Sequence, residues 1–209
     1  FRPRIGFLFQ DSDDQLFWLA ALPGLSGATL RIFYSFLVPI LGGRNFTVLS
    51  TASLIVPAVG MGIVVQDTAT PYWVFVVLAL LTGFGGGNFA SSMSNISFFF
   101  PKAQKGTALG LNAGLGNLGV SAVQFTAGLV IPAAVFGSLV GGPQTTDKGA
   151  SIYLQNIAYL WIPLIVASCI ASWLFMNNLA SARASFAEQS VIFSRKHNWI
   201  MCWLYVGTF

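Results

Sequence analysis

Apolar and polar residues separate along this chain in blocks the length of a membrane crossing. Long apolar stretches run from about Leu16 to Leu41, Phe46 to Val65, Tyr72 to Phe100, Ala108 to Val140 and Tyr153 to Met176. Another begins near Trp199 and is still running at Phe209. Crossing the hydrocarbon takes about 20 residues as a helix, and each complete stretch is long enough. Several contain Gly and Pro, which membrane helices tolerate where neighbours satisfy the freed backbone groups. The pattern predicts an all-α polytopic membrane protein with five full transmembrane helices and the start of a sixth.

Composition supports that class. The 209 residues are 55% hydrophobic and 8% charged, with a mean hydropathy of +0.73. A soluble domain carries about 25% charged residues. A chain this poor in charge cannot cover a water-facing surface. The net charge of +4 is modest and points to no nucleic-acid partner. Phe1 is not a methionine and Phe209 falls inside an apolar run, so both ends read as cut. Phe1–Gln10 shows no small-residue cleavage site after an apolar run, so no cleavable signal is visible within it. Cys169 and Cys202 lie singly in apolar segments and predict neither a disulfide nor a metal site.

The position of the charges predicts orientation. Arg44, Lys102, Lys105, Arg183, Arg195 and Lys196 fall in loops on one side of the predicted bundle. The opposite side carries Asp67, Asp147 with Lys148, and the acidic group Asp11, Asp13 and Asp14. Six basic residues against one is a positive-inside bias, so loops 42–45, 101–107 and 177–198 are expected in the cytoplasm. The loop from about Asn177 to Asn198 is long, polar and mixed in charge, as a linker between two helical bundles would be. His197 sits beside Arg195 and Lys196 and reads as an interfacial residue rather than a proton relay.

One charge lies mid-helix. Arg31 is about ten residues from the cytoplasmic end of the first stretch, or about 15 Å at 1.5 Å per residue. No Asp or Glu occurs in the spanning segments to pair with it. Intramembrane charges mark functional sites by default, so Arg31 predicts a polar cavity and an anionic ligand. The competing reading is a structural arginine paired with a carboxylate elsewhere. Gly27, Tyr34 and Ser35 are expected on its face, at spacings of three and four. Leu30, Ile32, Phe33 and Phe36 are left to lipid or packing.

The third and fourth stretches are rich in glycine: Gly83 and Gly87 in one, Gly106, Gly110, Gly114, Gly116 and Gly119 in the other. Gly106, Gly110 and Gly114 share one helical stripe, and such stripes let helices approach closely and rock. These positions are expected to serve packing or hinging. Rise arithmetic sets Phe89 and the amide of Asn117 about 15–18 Å deep, level with Arg31, and Tyr205 and Phe209 at about 9–15 Å.

Three segments then make the sequence look familiar: Ser26–Phe36, Gly85–Phe100 with its Asn-Phe-Ala-Ser-Ser-Met core, and the glycine-rich Gly106–Gly119. They resemble the nitrate/nitrite porters of the major facilitator superfamily, the NarK type, and the last is similar to that family's nitrate signature. The resemblance covers nearly the whole chain, as helices two to six and the start of seven. It implies an incomplete major facilitator fold. Residues 1–176 would be an N-terminal bundle lacking its first helix, 177–198 a cytoplasmic linker and 199–209 the start of a C-terminal bundle.

The resemblance also implies site roles. Arg31 matches the family's substrate arginine of the second helix, Asn117 the signature asparagine and Phe89 a pocket aromatic. Tyr205 and Phe209 match pocket residues of the seventh helix. Gly42-Gly43-Arg44 looks like a shortened form of the superfamily's loop between helices two and three, without the usual acidic residue. The implied activity is alternating-access transport of nitrate and nitrite, by antiport first and nitrate–proton symport second. A channel and an intramembrane enzyme are remote rivals. For the enzyme, Ser91 and Ser92 would have no base beside them. The expected setting is a bacterial inner membrane, as a monomer in lipid, with no cofactor or metal.

Overall fold

The computed structural model describes residues 13–67, 69–145 and 150–208. Eight α-helices occupy these residues: α1 Asp13–Leu41, α2 Gly43–Ala52, α3 Ile55–Val64, α4 Tyr72–Phe99, α5 Lys102–Val130, α6 Gln155–Phe175, α7 Phe186–Ser190 and α8 Lys196–Thr208. Five segments are long and apolar enough to cross a membrane: α1, Gly43–Val64, α4, α5 and α6. The all-α polytopic class expected from the apolar blocks is therefore the observed one.

Several boundaries differ from the apolar blocks, and two of the differences have a backbone reason. The second span starts at Gly43 rather than Phe46, and it breaks between α2 and α3 at Ser53 and Leu54. Pro57 has no N–H to return to the Ser53 carbonyl, and Val56 N bonds that oxygen instead at 3.3 Å, in a tighter turn. The fourth span starts at Lys102 and stops at Val130, ten residues before Val140. Pro132 follows at once, and the chain continues through turns into a short 3-10 helix, Gly137–Val140. Between α5 and α6 lies a two-stranded antiparallel hairpin, β1 Gln144–Thr145 with β2 Ser151–Ile152, which periodicity does not reveal.

The fold's tightest seam joins α1 and α4. The buried positions of α4 include Phe75, Ala79, Gly83, Gly87, Ser91 and Asn95, spaced by four along one ridge. Glycines on both sides let the backbones meet. A Cβ on Gly27 would stand 3.2 Å from Gly86 Cα, and one on Gly86 would stand 3.0 Å from Gly27 Cα. One turn on, Gly87 leaves a slot that the Tyr34 ring fills, since a Cβ there would lie 2.8 Å from Tyr34 Cδ2. Tyr34 in turn meets Phe46 of α2 edge to face, with centroids 4.8 Å apart.

Polar clasps close both ends. At one end Asn178, after α6, accepts from the backbone N–H of Arg44 at 2.9 Å and donates to Asn45 Oδ1 at 3.0 Å. It thereby satisfies an orphan donor at the start of α2. Gly42 has φ 88, a conformation that favours glycine, and a Cβ there would also strike Asn178. At the other end Gln155 is 0% and Asn156 1% exposed. Asn156 Nδ2 donates to the carbonyls of Val130 and Ala133, which ties α6 to the end of α5.

The segment that follows α6 is fastened as well. Phe36 of α1 lies against the rings of Phe186 and Phe193, at 5.5 and 5.6 Å between centroids. Gln189 Nε2 donates to the Phe36 carbonyl at 3.2 Å. Ser185 and Glu188 form a capping box at the start of α7, and those hydrogen bonds hold the Glu188 carboxyl below its usual range.

Candidate functional site

Arg31 sits where α1 and α4 are in closest contact, one turn beyond Gly27. Its Nε donates to the Gly86 carbonyl at 3.2 Å. Its guanidinium carbon lies 5.2 Å from the centroid of the Phe89 ring, a cation–π approach. The small residues explain this geometry. With side chains at 27 and 86 the backbones would separate, and Gly86 O would leave the reach of Arg31.

An open cleft of about 490 Å³ extends from this pair. Arg31, Ser35, Phe89, Ser94, Leu109 and Tyr205 are among the residues that line it. Among the described residues no carboxylate belongs to that lining, so the exposed guanidinium meets no countercharge there. The walls are otherwise aromatic, aliphatic or hydroxylated, a chemistry suited to a small anion.

Of the residues singled out by sequence, the structure thus brings together Arg31, Phe89 and Tyr205, from α1, α4 and α8. Asn117 is not part of that lining. It stands on an exposed part of α5, eight residues beyond Leu109, or about 12 Å along the helix. Phe209 lies outside the described residues. Gly83 and Gly87 are packed against α1. Gly106, Gly110, Gly114, Gly116 and Gly119 have no described atom within 4 Å of where a Cβ would stand.

Two expectations about the face of Arg31 need correction. Gly27 and Tyr34 do not border the cleft: they face α4, and Tyr34 is 8% exposed. Positions three or four residues away share a broad face with Arg31, but the slot at Gly87 draws the Tyr34 ring to its packing side. Ser35 does line the cleft. Met93, Ser94 and Ser97 were not singled out as site residues, although Met93 and Ser97 continue from Phe89 at steps of four. That periodicity was the available signal. Asn112, on α5, donates to Ser92 Oγ at 3.1 Å and fixes the wall of the cleft beside Met93.

Among the described residues no three His, Cys, Asp or Glu side chains gather as metal ligands would. The thiols are free: Cys169 Sγ donates weakly to the Val48 carbonyl at 3.8 Å, and Cys202 is exposed.

No family model matches the chain. Curated relatives do. The chain is 55% identical over 207 residues to the nitrate/nitrite transporter NarU of Escherichia coli (strain K12), covering 99% of this chain and 44% of that relative. It is 52% identical over 208 residues to NarU of Salmonella typhimurium, again with 99% and 44% covered. It is 51% identical over 211 residues to the probable nitrate/nitrite antiporter NarK2 of Thermus thermophilus, with 99% of this chain and 47% of the relative covered. The chain spans 44% to 47% of the length of these relatives. All of them are named as transporters and none as an enzyme.

Proposed function

We propose that the chain belongs to the nitrate/nitrite porter family and that the whole protein moves nitrate and nitrite across a membrane by alternating access, exchanging one anion for the other. The single observation that carries this reading is Arg31, whose guanidinium lies 5.2 Å over Phe89 at the head of a cleft without a carboxylate. Its Nε is committed to Gly86 O, which leaves the Nη nitrogens for a ligand. A planar oxyanion accepts two parallel hydrogen bonds from such a fork. Phe89 and Tyr205 then favour a flat, weakly hydrated anion over a bulky one by shape.

Exchange is favoured over proton symport because the spans beyond Asp14 contain no Asp, Glu or His side chain in which to hold a coupling proton. We place Arg44, Lys102, Lys105, Arg183, Arg195 and Lys196 in the cytoplasm, by the positive-inside bias, and the protein in a bacterial inner membrane. Asn117 and Phe209 complete the substrate site in this reading, as their match to the family's motif implies. The α1 to α6 region forms one bundle, residues 177–198 link it to a second, and α8 opens that second bundle.

The test is labelled-nitrate uptake by proteoliposomes holding the full-length protein. Internal nitrite should accelerate uptake and a proton gradient should not be required. Uptake that depends on the proton gradient and ignores internal nitrite would establish symport. Flux that never saturates would establish a channel.

A further inference from the structure

The cleft beside Arg31 carries the hydroxyls of Ser35, Ser94 and Ser97, and they are not equivalent. Ser35 Oγ donates to the Arg31 carbonyl at 2.9 Å, and Ser97 Oγ donates to the Met93 carbonyl at 2.9 Å. These are back-bonds within a helix, and each consumes the single proton that a hydroxyl can give. Ser94 is half-buried in the same wall, and its Oγ joins no hydrogen bond among the described residues. Its proton is uncommitted.

The distinction matters because nitrate and nitrite offer acceptors only. A wall hydroxyl stabilises such an anion by donating, and a hydroxyl whose proton is held by a backbone carbonyl cannot donate without breaking that bond. Ser94 also stands at a useful depth. It lies five residues from Phe89 toward the Lys102 end of α4, or about 7.5 Å along the axis. Ala90, Ser94 and Ser97 recur at steps of four and three, so this stripe of α4 follows the cleft away from Arg31.

We propose that Ser94 is a hydrogen-bond donor to the transported anion, holding it between Arg31 and the mouth of the cleft on the Lys102 side. The assignment rests on the anion-transport reading above. It gives the passage two unequal stations, a charged one at Arg31 and a neutral one at Ser94. The neutral station lets the anion leave the guanidinium without returning to full hydration in one step.

The test uses the full-length protein in proteoliposomes, with nitrate uptake and membrane abundance measured together. Ser94→Ala should raise KM for nitrate about 10- to 100-fold, the value of one hydrogen bond to a charged group, at unchanged abundance. Ser94→Thr keeps the hydroxyl and should restore most of the affinity. Ser97→Ala, which removes a hydroxyl already committed to Met93, should raise KM less than Ser94→Ala does. Equal effects of the two alanine variants, or a Ser94→Ala protein with the KM of the unmodified one, would overturn the assignment and leave the transport reading standing. An unmodified protein that neither moves nitrate nor is thermally stabilised by it would overturn the transport reading, and Ser94 with it.

Discussion

Along α4, Gly83, Gly86 and Gly87 are pressed against α1, whereas along α5 a Cβ at Gly106, Gly110 or Gly114 would meet open space. The two helices are of nearly equal length, 28 and 29 residues, and both carry glycines at steps of four. What separates them is the partner. Opposite Gly83 and Gly86, α1 presents Ser26 and Gly27, so both backbones are bare at one level. Opposite the α5 stripe there is no described helix, and α5 has no buried residue at all. A small-residue stripe is a capacity for close approach. It becomes a seam only where a second stripe of small residues faces it.

The seam also carries chemistry. Close approach at Gly27 and Gly86 brings Arg31 within 3.2 Å of Gly86 O, which orients the guanidinium over Phe89. Packing and site are thus one arrangement on the α1–α4 side. The sharpest way to break the comparison is at Gly83, where any side chain would collide with Ser26 and with Gly27 N at 2.7 Å. Gly83→Leu should cost about 1–3 kcal/mol or more through overpacking and forced backbone separation. We expect little folded full-length protein in the membrane, measured by abundance and protease resistance. Normal abundance would mean that the seam is more plastic than its contacts indicate.

Changing Arg31 tests the same seam without disturbing its shape. Arg31→Ala should insert but not transport. Arg31→Lys keeps the charge and loses the planar fork together with the Nε bond to Gly86. It should insert normally and transport poorly. If Arg31 were instead a structural partner of a carboxylate, Lys would largely function and Ala would be poorly expressed. Nitrate uptake measured beside membrane abundance separates the patterns.

On the α5 side the expected effect is smaller and falls on a different observable. Gly110→Leu meets nothing within 4 Å among the described residues, so the α1–α4 seam should be intact. In the full-length protein we expect transport to fall more than abundance, because the stripe is proposed to let α5 approach and rock against another helix. Unchanged nitrate uptake in Gly110→Leu would assign the stripe to lipid.

Much of this was legible in the chain. The spans follow from apolar length, which is a strong signal, and the depth of Arg31 and Phe89 follows from the rise per residue. Their meeting was legible as a shared level, while its cause, the Gly27–Gly86 contact, depends on two helices choosing each other. Tyr34 shows the limit of spacing rules. Its position three residues from Arg31 fits the cleft, but Gly87, far away in sequence, offers a slot that buries the ring. The break at Ser53 and the end of α5 were written in Pro57 and Pro132, because hydropathy registers an apolar proline while the backbone registers a missing donor. The Asn178 clasp and the hairpin left no periodic trace. The clasp rests on one side-chain amide and the hairpin on a short backbone pairing.

Asn117 sharpens the comparison most finely, because it continues the open stripe of α5 at a step of three from Gly114. It has no described hydrogen-bond partner and stands outside the Arg31 cleft. An amide in a membrane helix is costly to leave against lipid, so its place on the open face argues that this face meets substrate or another helix when transport occurs. Asn117→Leu removes the polarity at similar size. If the amide donates to the anion, nitrate affinity should fall by about 1–3 kcal/mol, the cost of a missing polar contact, with insertion and the α1–α4 seam unchanged. If it serves only contact between helices, the variant should lose stability or abundance at unchanged affinity. Nitrate KM and thermal stability, measured on the same Asn117→Leu preparation, distinguish the two. A change in neither would return the open face of α5 to lipid and leave the Arg31 seam as the site's only contribution from this half.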